Sequence, residues 1–161
     1  FDFYHSYGNA NSYLDSPGRY RSEARIIKNS LRTYAPDGLF WLVLDNNKTG
    51  RYPRAKHTGA KCYHYGWVRS EAQMNLKSKK VQKYWGGEAN KIDYSKMDQS
   101  IIKEFKGTHP KVMREWLKND EGLYQVDSSY KLTKKQKKHR IMIKLENFFH
   151  LELSKKHYKL V

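Results

Sequence analysis

Aromatic residues crowd segment 60–67, Ala-Lys-Cys-Tyr-His-Tyr-Gly-Trp, and this composition is typical of a β-strand. Ser70 follows within three residues as a candidate helix N-cap, with Glu71 in the first helical turn. A strand that ends just before a helix directs its last side chains toward a cleft. Residues 63–69 are therefore the feature that most constrains the fold and the first candidate for a site.

Three further strands are predicted from the alternation of apolar and polar residues or from aromatic and β-branched content, at 1–5, 20–29 and 38–44. The segments between them carry the Asp, Asn, Pro and Gly residues that tight turns require, at 15–18, 35–38 and 45–50. The chain begins without Met and already alternates at its first residue. We therefore expect that the first strand continues from an upstream segment.

Helices are predicted in the second half of the chain. The first runs from the Ser70 cap toward Gly86-Gly87. The second begins at Pro110, a favoured first helical position, and ends at Asn119. One face of this short helix is predicted to be apolar, with Val112, Met113, Trp116 and Leu117.

The third helix is predicted over residues 134–149, with Thr133 at its start. Ile141, Leu145 and Phe148 form an apolar stripe, and the lysines cover the other face. Together, these patterns predict an α+β fold in which short, mostly antiparallel strands in the first half are followed by helices.

Composition limits the domain organisation. With 161 residues, of which 38% are hydrophobic, the chain has apolar material for one compact core, so residues 1–161 are predicted to form part of a single domain. No apolar run approaches the roughly 18 to 20 residues that cross a bilayer. A lone Cys62 is typical of a reducing compartment, so a cytoplasmic location is expected.

Charge is concentrated at the C-terminus. The chain has 32 Lys and Arg against 16 Asp and Glu, and segment 131–161 alone carries ten basic and two acidic residues. Such a basic helical segment binds RNA or DNA, or an anionic membrane surface, or it is an ordinary solvated helix face. Nucleic acid is the less favoured partner, because the sequence has no zinc finger, no aromatic RNA-binding motif and no recognition helix.

Residues 63–69 hold the densest set of candidate site residues. His64 is a candidate metal ligand or diphosphate contact, and Arg69 is a candidate phosphate ligand through its forked guanidinium. Tyr65 and Trp67 are candidates for stacking on a sugar face. The structural alternative is a strand that buries its tyrosines and a histidine that is satisfied inside the core, which is the more common outcome for a single histidine.

Four residues outside this segment are also candidates. His5 lies in an aromatic cluster, and His109 precedes a helix N-terminus, where free N–H groups attract an anion or the histidine serves as a cap. Glu23 and Asp37 are candidate general bases that accept a proton from a hydroxyl group. The alternative for these carboxylates is a solvated ion pair with a nearby base, namely Arg21, Arg25 or Lys28.

Several common signatures are absent from the sequence. It contains no Gly-x-Gly-x-x-Gly, no phosphate-loop Gly-Lys-Ser/Thr, no paired cysteines, no His-Glu-x-x-His and no Asp-x-Asp. The 161 residues are therefore not predicted to bind a nucleotide or a catalytic metal by themselves.

Five segments occur in a characteristic order along the chain, namely Phe-Tyr-His-Ser-Tyr-Gly at 3–8, Tyr-Arg-Ser-Glu-Ala-Arg-Ile-Ile at 20–27, Tyr-His-Tyr-Gly-Trp-Val-Arg at 63–69, Phe-Lys-Gly-Thr-His-Pro at 105–110 and Ser-Lys-Lys-His-Tyr-Lys-Leu at 154–160. Taken together, they resemble the C-terminal portion of bacterial family 2 glycosyltransferases. The similarity extends over nearly the whole chain, and the segment at 63–69 is its most specific element.

The resemblance implies the acceptor-side half of an A-type glycosyltransferase fold, preceded by a nucleotide-binding half with an Asp-x-Asp metal site. It implies transfer of a sugar from a nucleotide-sugar to a glycan or lipid-linked acceptor, with Mg²⁺ or Mn²⁺ in the full-length enzyme. The expected cytoplasmic location is compatible with this role, and the lysines of segment 131–161 would place the protein at the inner face of the membrane, near a lipid-linked acceptor. The segment alone is expected to be inactive.

The resemblance also suggests roles for individual residues. It implies a metal or diphosphate contact for His64 and leaving-group neutralisation by Arg69. Glu23 or Asp37 would be the base, although the sequence around Asp37 departs from the family pattern. Aromatic residues such as Trp67 would line the acceptor cleft.

Overall fold

The computed structural model describes residues 1–47, 49–89, 91–118 and 126–161, with Asp37 and Trp85 described by their backbone alone. Strands lie mostly in the first half and helices in the second, which confirms the predicted α+β class. The strands are β1 (Asp2–Tyr7), β2 (Asn9–Leu14), β3 (Thr33–Tyr34), β4 (Leu42–Leu44), β5 (Gly50–Arg51), β6 (Arg54–Ala55), β7 (Lys61–Trp67), β8 (Ile102–Glu104) and β9 (Lys159–Leu160). The α-helices are α1 (Glu71–Trp85), α2 (Arg114–Leu117) and α3 (Lys134–Phe149).

The strands of the described ranges form three sheets. The largest has the order β7-β1-β2-β8, a second has the order β3-β4-β5, and β6 pairs with β9. Four of the pairings are antiparallel, while β1 with β7 and β6 with β9 are parallel. The prediction of mostly antiparallel strands is therefore confirmed.

The parallel pairing of β1 with β7 brings two distant segments of the chain into register. His5 lies opposite His64 and Tyr4 lies opposite Tyr63. Because successive side chains of a strand point to opposite faces of the sheet, the two histidines share one face and the two tyrosines share the other.

The core lies where the large sheet meets α1. Tyr7, Leu14, Met74, Tyr94 and Ile101 form one buried cluster. The predicted start of α1 is confirmed, because the Ser70 side chain accepts a hydrogen bond from the N–H of Gln73 and the Gln73 side chain bonds back to the Ser70 N–H. The end of α1 at Trp85, just before Gly86, is also as predicted.

The strand predicted at 20–29 is wrong. This segment makes a single bridge, between Asp2 and Ser22, and is otherwise irregular. Residues 21–23 lie beside β1, because the Arg21 carbonyl accepts from the N–H of Phe3 and the Glu23 N–H donates to the Phe1 carbonyl. The Arg21 side chain contacts Asp15 and Glu146, and the Glu23 side chain contacts His157. The partners at 146 and 157 cannot be read from local alternation.

The strand predicted at 38–44 forms only in part, because Pro36–Gly38 is a 3-10 turn and pairing begins at Leu42. The short helix after Pro110 is confirmed as a 3-10 turn, Lys111–Met113, that continues into α2. Its predicted end at Asn119 lies outside the described residues. Its predicted apolar face is largely open to solvent, with Val112 and Trp116 exposed.

Helix α3 has the predicted bounds, with Thr133 as its cap, but it docks through another face than the predicted one. Ile141, Leu145 and Phe148 are 61%, 43% and 76% exposed. With 3.6 residues per turn, Ile143 and Glu146 lie on the opposite side of the helix, and these two face the protein body.

Two ion pairs determine this orientation of α3. Arg21 donates to both carboxylate oxygens of Glu146 at 2.7 and 3.0 Å, and Arg140 donates to both oxygens of the buried Asp98 at 2.8 and 2.7 Å. Bidentate arginine–carboxylate pairs have fixed geometry, so they orient the helix about its axis.

In the described ranges, no helix combines the length and apolar content that crossing a bilayer requires.

Candidate functional site

A pair of histidines occupies one face of the β1–β7 ladder. His5 Nδ1 lies 3.2 Å from His64 Nδ1, and His5 Nε2 lies 2.9 Å from the carbonyl oxygen of Tyr20. His5 is buried, whereas His64 is half-buried and so reaches the surface of the site. Both had been predicted as site residues, and the structure brings them into contact.

The hydrogen bonds determine where the protons lie on the two rings. A carbonyl oxygen only accepts, so His5 Nε2 carries a proton that it donates to Tyr20. Burial lowers the pKa of His5 to about 4, so at neutral pH its Nδ1 is bare and accepts the proton of His64 Nδ1. His64 is then left with an unprotonated Nε2, available as a base or as a ligand.

The surroundings of His64 are cationic. Burial lowers its pKa, and the charges of Lys77, Arg19 and Arg25 lower it further. Lys77 Nζ donates to the Gly66 carbonyl at 3.3 Å, while Arg19 lies over the Trp67 ring at 5.7 Å from its centre. A histidine with three cationic neighbours is suited to an anion such as a phosphate group.

The metal role of His64 stays a prediction. Across the described residues, no three side chains among His, Cys, Asp and Glu converge as metal ligands. The site itself offers one free imidazole nitrogen amid cationic groups, a set that fits a phosphate better than it fits Mg²⁺ or Mn²⁺. Any dication at His64 would take its other ligands from outside this set.

Gly66 leaves the space that the His64 ring occupies. A Cβ built on Gly66 would lie 2.7 Å from His64 Nε2, which is closer than side chains tolerate. Gly66 follows His64 by two residues on the same strand, so both share a face. A glycine two residues after His64 is therefore required for the His64 ring to keep this position.

Trp67 and Arg69 follow at the end of β7. The Trp67 ring packs at 5.8 Å from the ring of Tyr7, and the carbonyls of Trp67 and Arg69 both accept from the Tyr94 hydroxyl. The Arg69 side chain is exposed. Stacking of Trp67 on a sugar and binding of a phosphate by Arg69 remain predictions.

The opposite face of the ladder carries aromatic rings. Tyr63 stacks between Tyr4 and Tyr65, at ring separations of 5.7 and 6.3 Å. The Tyr65 hydroxyl lies 2.8 Å from His109 Nδ1, and Trp116 packs edge-on against Tyr65. The structure thus joins two predicted substrate-binding residues, Tyr65 and His109, on the face away from the histidine pair.

Glu23 belongs to a third location. Its carboxylate is buried and contacts His157 Nδ1, and the other carboxylate oxygen has no hydrogen-bond partner among the described residues. The His157 ring stacks on Phe40 at 4.2 Å. The alternative of a solvated ion pair is therefore wrong for Glu23, because its partner is a histidine near the C-terminus inside the protein. Its role as a base stays a prediction.

Asp37 lies in the 3-10 turn Pro36–Gly38, and its side chain lies outside the described part of the structure. Its predicted role as a base therefore stays a prediction.

Sequence reasoning missed several contributors to these sites. Tyr20 orients His5 through its backbone carbonyl, which leaves no side-chain signal. Arg19 and Lys77 approach His64 from a loop and from α1, and their spacing in the sequence does not indicate this meeting. His157 lies in segment 154–160, one of the five that carry the family resemblance, but that resemblance suggested no partner for it.

Comparison with protein-family models, curated protein sequences and solved structures gives no match to this chain.

Proposed function

We propose that this chain is the acceptor-side part of a family 2 glycosyltransferase, and that its histidine pair contacts the diphosphate of a nucleotide-sugar. The observation that carries the proposal is the free Nε2 of His64 among three cationic side chains. The sequence resemblance supplies the enzyme class, and the geometry supplies a place where negative charge is stabilised.

The proposed chemistry follows from charge. A diphosphate leaving group gains negative charge as the bond to the sugar breaks. An anion beside His64 raises the pKa of its imidazole, so the ring takes up a proton at Nε2 and donates it to a phosphate oxygen. His5 holds the other nitrogen in place, and Lys77 and Arg19 add positive charge around the leaving group.

A titration with pyrophosphate tests this proposal on the 161-residue chain. We expect pyrophosphate, but not chloride at the same ionic strength, to raise the pKa of His64, which imidazole NMR follows. His64→Ala and Gly66→Ala should weaken diphosphate binding by roughly tenfold, because the first removes the imidazole and the second displaces it from His5.

His150→Asn is the matched control, since it removes an exposed imidazole at a left-handed helix end that asparagine tolerates. It should bind as the parent does. If pyrophosphate moves the His64 resonances no more than chloride does, the proposed contact is absent. Turnover of a nucleotide-sugar by this chain alone would contradict the proposal that it works with a nucleotide-binding half.

A second candidate function, binding to an anionic membrane surface, is favoured by the exposed face of α3. The stripe of Ile141, Leu145 and Phe148 faces solvent, and Phe149 continues it. Lysines are interspersed along the same helix. An exposed apolar stripe flanked by lysines is typical of helices that lie in the membrane interface. This role is compatible with an enzyme that acts on a lipid-linked acceptor.

Co-sedimentation with vesicles tests the second function. Wild type should bind phosphatidylcholine vesicles that contain phosphatidylserine, and serines at 141, 145 and 148 should weaken binding roughly tenfold or more, because each apolar group contributes on the order of 1 kcal/mol. The matched control places serines at Val81, Tyr84 and Val112, which are exposed apolar residues outside α3. Equal loss in both variants would argue against a surface formed by α3.

A further inference from the structure

A cavity of about 410 Å³ lies between segment 23–31, segment 51–58 and the C-terminal strand β9. Its volume falls within the range of roughly 300 to 1,000 Å³ that is typical of small-molecule sites. Its described lining includes five cationic residues from two separate segments, namely Arg25, Lys28, Arg51, Arg54 and Lys56.

These five cationic side chains lack carboxylate partners. No ion pair is found for any of them among the described residues. Elsewhere in the protein, Arg21 and Arg140 are paired bidentately. Glu23 also lines the cavity; one of its carboxylate oxygens contacts His157, and the other has no hydrogen-bond partner among the described residues. Five cationic side chains and one carboxylate leave the described lining with a net positive charge.

The cavity also has an apolar part. Ile27, Leu31, Val43, Ala55 and Leu160 line it alongside the cations. Inorganic phosphate alone would leave this part unfilled. The combination fits an anion that is attached to a larger carbon skeleton.

We propose that this cavity binds a phosphate ester, with its phosphate against Arg51, Arg54 and Lys56 and its carbon skeleton against Leu31 and Val43. Guanidinium forks match the oxygens of phosphate, and two arginines beside a lysine supply several charge-assisted donors. The described lining of this cavity does not include His5 or His64, so this proposal is independent of the proposed diphosphate contact. Arg25 neighbours both sites and is left unchanged in the test.

Titration with glucose 6-phosphate, followed by backbone NMR, tests the proposal. Wild type should show shifts in segments 23–31 and 51–58, and glucose should cause none. The cavity variant Arg51→Gln, Arg54→Gln, Lys56→Gln should bind roughly tenfold more weakly, because it loses several charged hydrogen bonds. The matched variant Lys79→Gln, Lys80→Gln, Lys83→Gln removes the same charge from the exposed part of α1 and should stay within about twofold of wild type.

Circular dichroism and thermal melting establish that both variants are folded, and Arg54→Gln alone replaces the triple change if that variant does not fold. Equal weakening in both triple variants would show that only net charge matters and would overturn the proposal. Loss of glucose 6-phosphate binding in His64→Ala, with retention in the cavity variant, would place the ligand at the histidine pair and would also overturn it.

Vesicles of phosphatidylcholine with phosphatidic acid distinguish the source of the phosphate ester. Binding of the vesicles but not of glucose 6-phosphate, with loss in the cavity variant alone, would identify a lipid headgroup. The reverse pattern would identify a soluble phosphorylated compound. Failure of both probes to bind wild type would overturn the proposal.

Discussion

Glu146→Ala is expected to destabilise the protein by about 2 to 4 kcal/mol, whereas Phe148→Ala should change its stability by only about 0.5 kcal/mol. The Glu146 carboxylate is 7% exposed and accepts two hydrogen bonds from Arg21 and one from the Leu153 N–H at 2.7 Å. Its removal leaves those donors without their acceptor. Phe148 projects into solvent, so its truncation leaves no cavity. Urea unfolding followed by circular dichroism measures both effects.

Glu115→Ala is the matched control for the loss of a glutamate. Its ion pair with Lys118 at 2.6 Å is exposed on both sides, so little loss of stability is expected. Glu146→Gln should fall between wild type and Glu146→Ala, because the amide retains one acceptor oxygen. If Phe148→Ala were the more damaging change, helix α3 would dock through its apolar stripe and the orientation described above would be incorrect.

Acid should destabilise the protein well above the pH at which carboxylates are protonated. Burial, assisted by the charges of His64, Arg19 and Arg25, lowers the pKa of His5 from 6.5 to about 4 in the folded state, although its hydrogen bond to Tyr20 opposes this shift. Between these two pH values the unfolded chain binds a proton that the folded protein does not. The neutral His5 thus contributes stability above pH 6.5, and up to about 3 kcal/mol of it is lost as the pH falls to 4.

Unfolding free energies from pH 7.5 to 4.5 measure this effect. The slope should be clearly smaller in His5→Gln, which cannot titrate, and unchanged in the exposed control His150→Asn. His64 adds to the slope in the same direction, because its pKa is also lowered. The range stops at 4.5 so that the carboxyl groups of Glu146 and Asp98 stay ionised throughout. Burial acts to raise the pKa of both groups, but the hydrogen bonds from their arginine partners outweigh it and lower the pKa. An identical slope in wild type and His5→Gln would mean that His5 titrates alike in the folded protein and the unfolded chain, which would contradict its lowered pKa.

Local signals predicted the helices best. Ser70 and Thr133 cap α1 and α3 as expected, because a cap is a contact between residues three apart and needs no tertiary context. The strand at 61–67 was also recognisable, since aromatic content and a following cap bound it on one side. The strand predicted at 20–29 does not form, because the alternating residues contact partners elsewhere in the chain that a local pattern does not record.

The candidate site was predictable only as a set of separate residues. His5 and His64 both stood out, but 59 positions separate them and nothing local indicates that they share a hydrogen bond. Their contact follows from the parallel register of β1 and β7, which places equivalent positions of both strands on one face. The cationic surroundings of His64 also depend on the tertiary structure, because Arg19 comes from a loop and Lys77 from α1.

The amino-acid sequence by itself determined the α+β class, the caps and ends of the two long helices, and the aromatic strand at 61–67. These features depend on interactions over a few residues, which spacing records directly. Only the tertiary structure decided that His5 orients His64, that Glu23 meets His157, and which face of α3 packs inward. Each of these depends on a long-range pairing of charged or polar groups, because a buried group left without its partner destabilises the fold more than an exposed apolar stripe does.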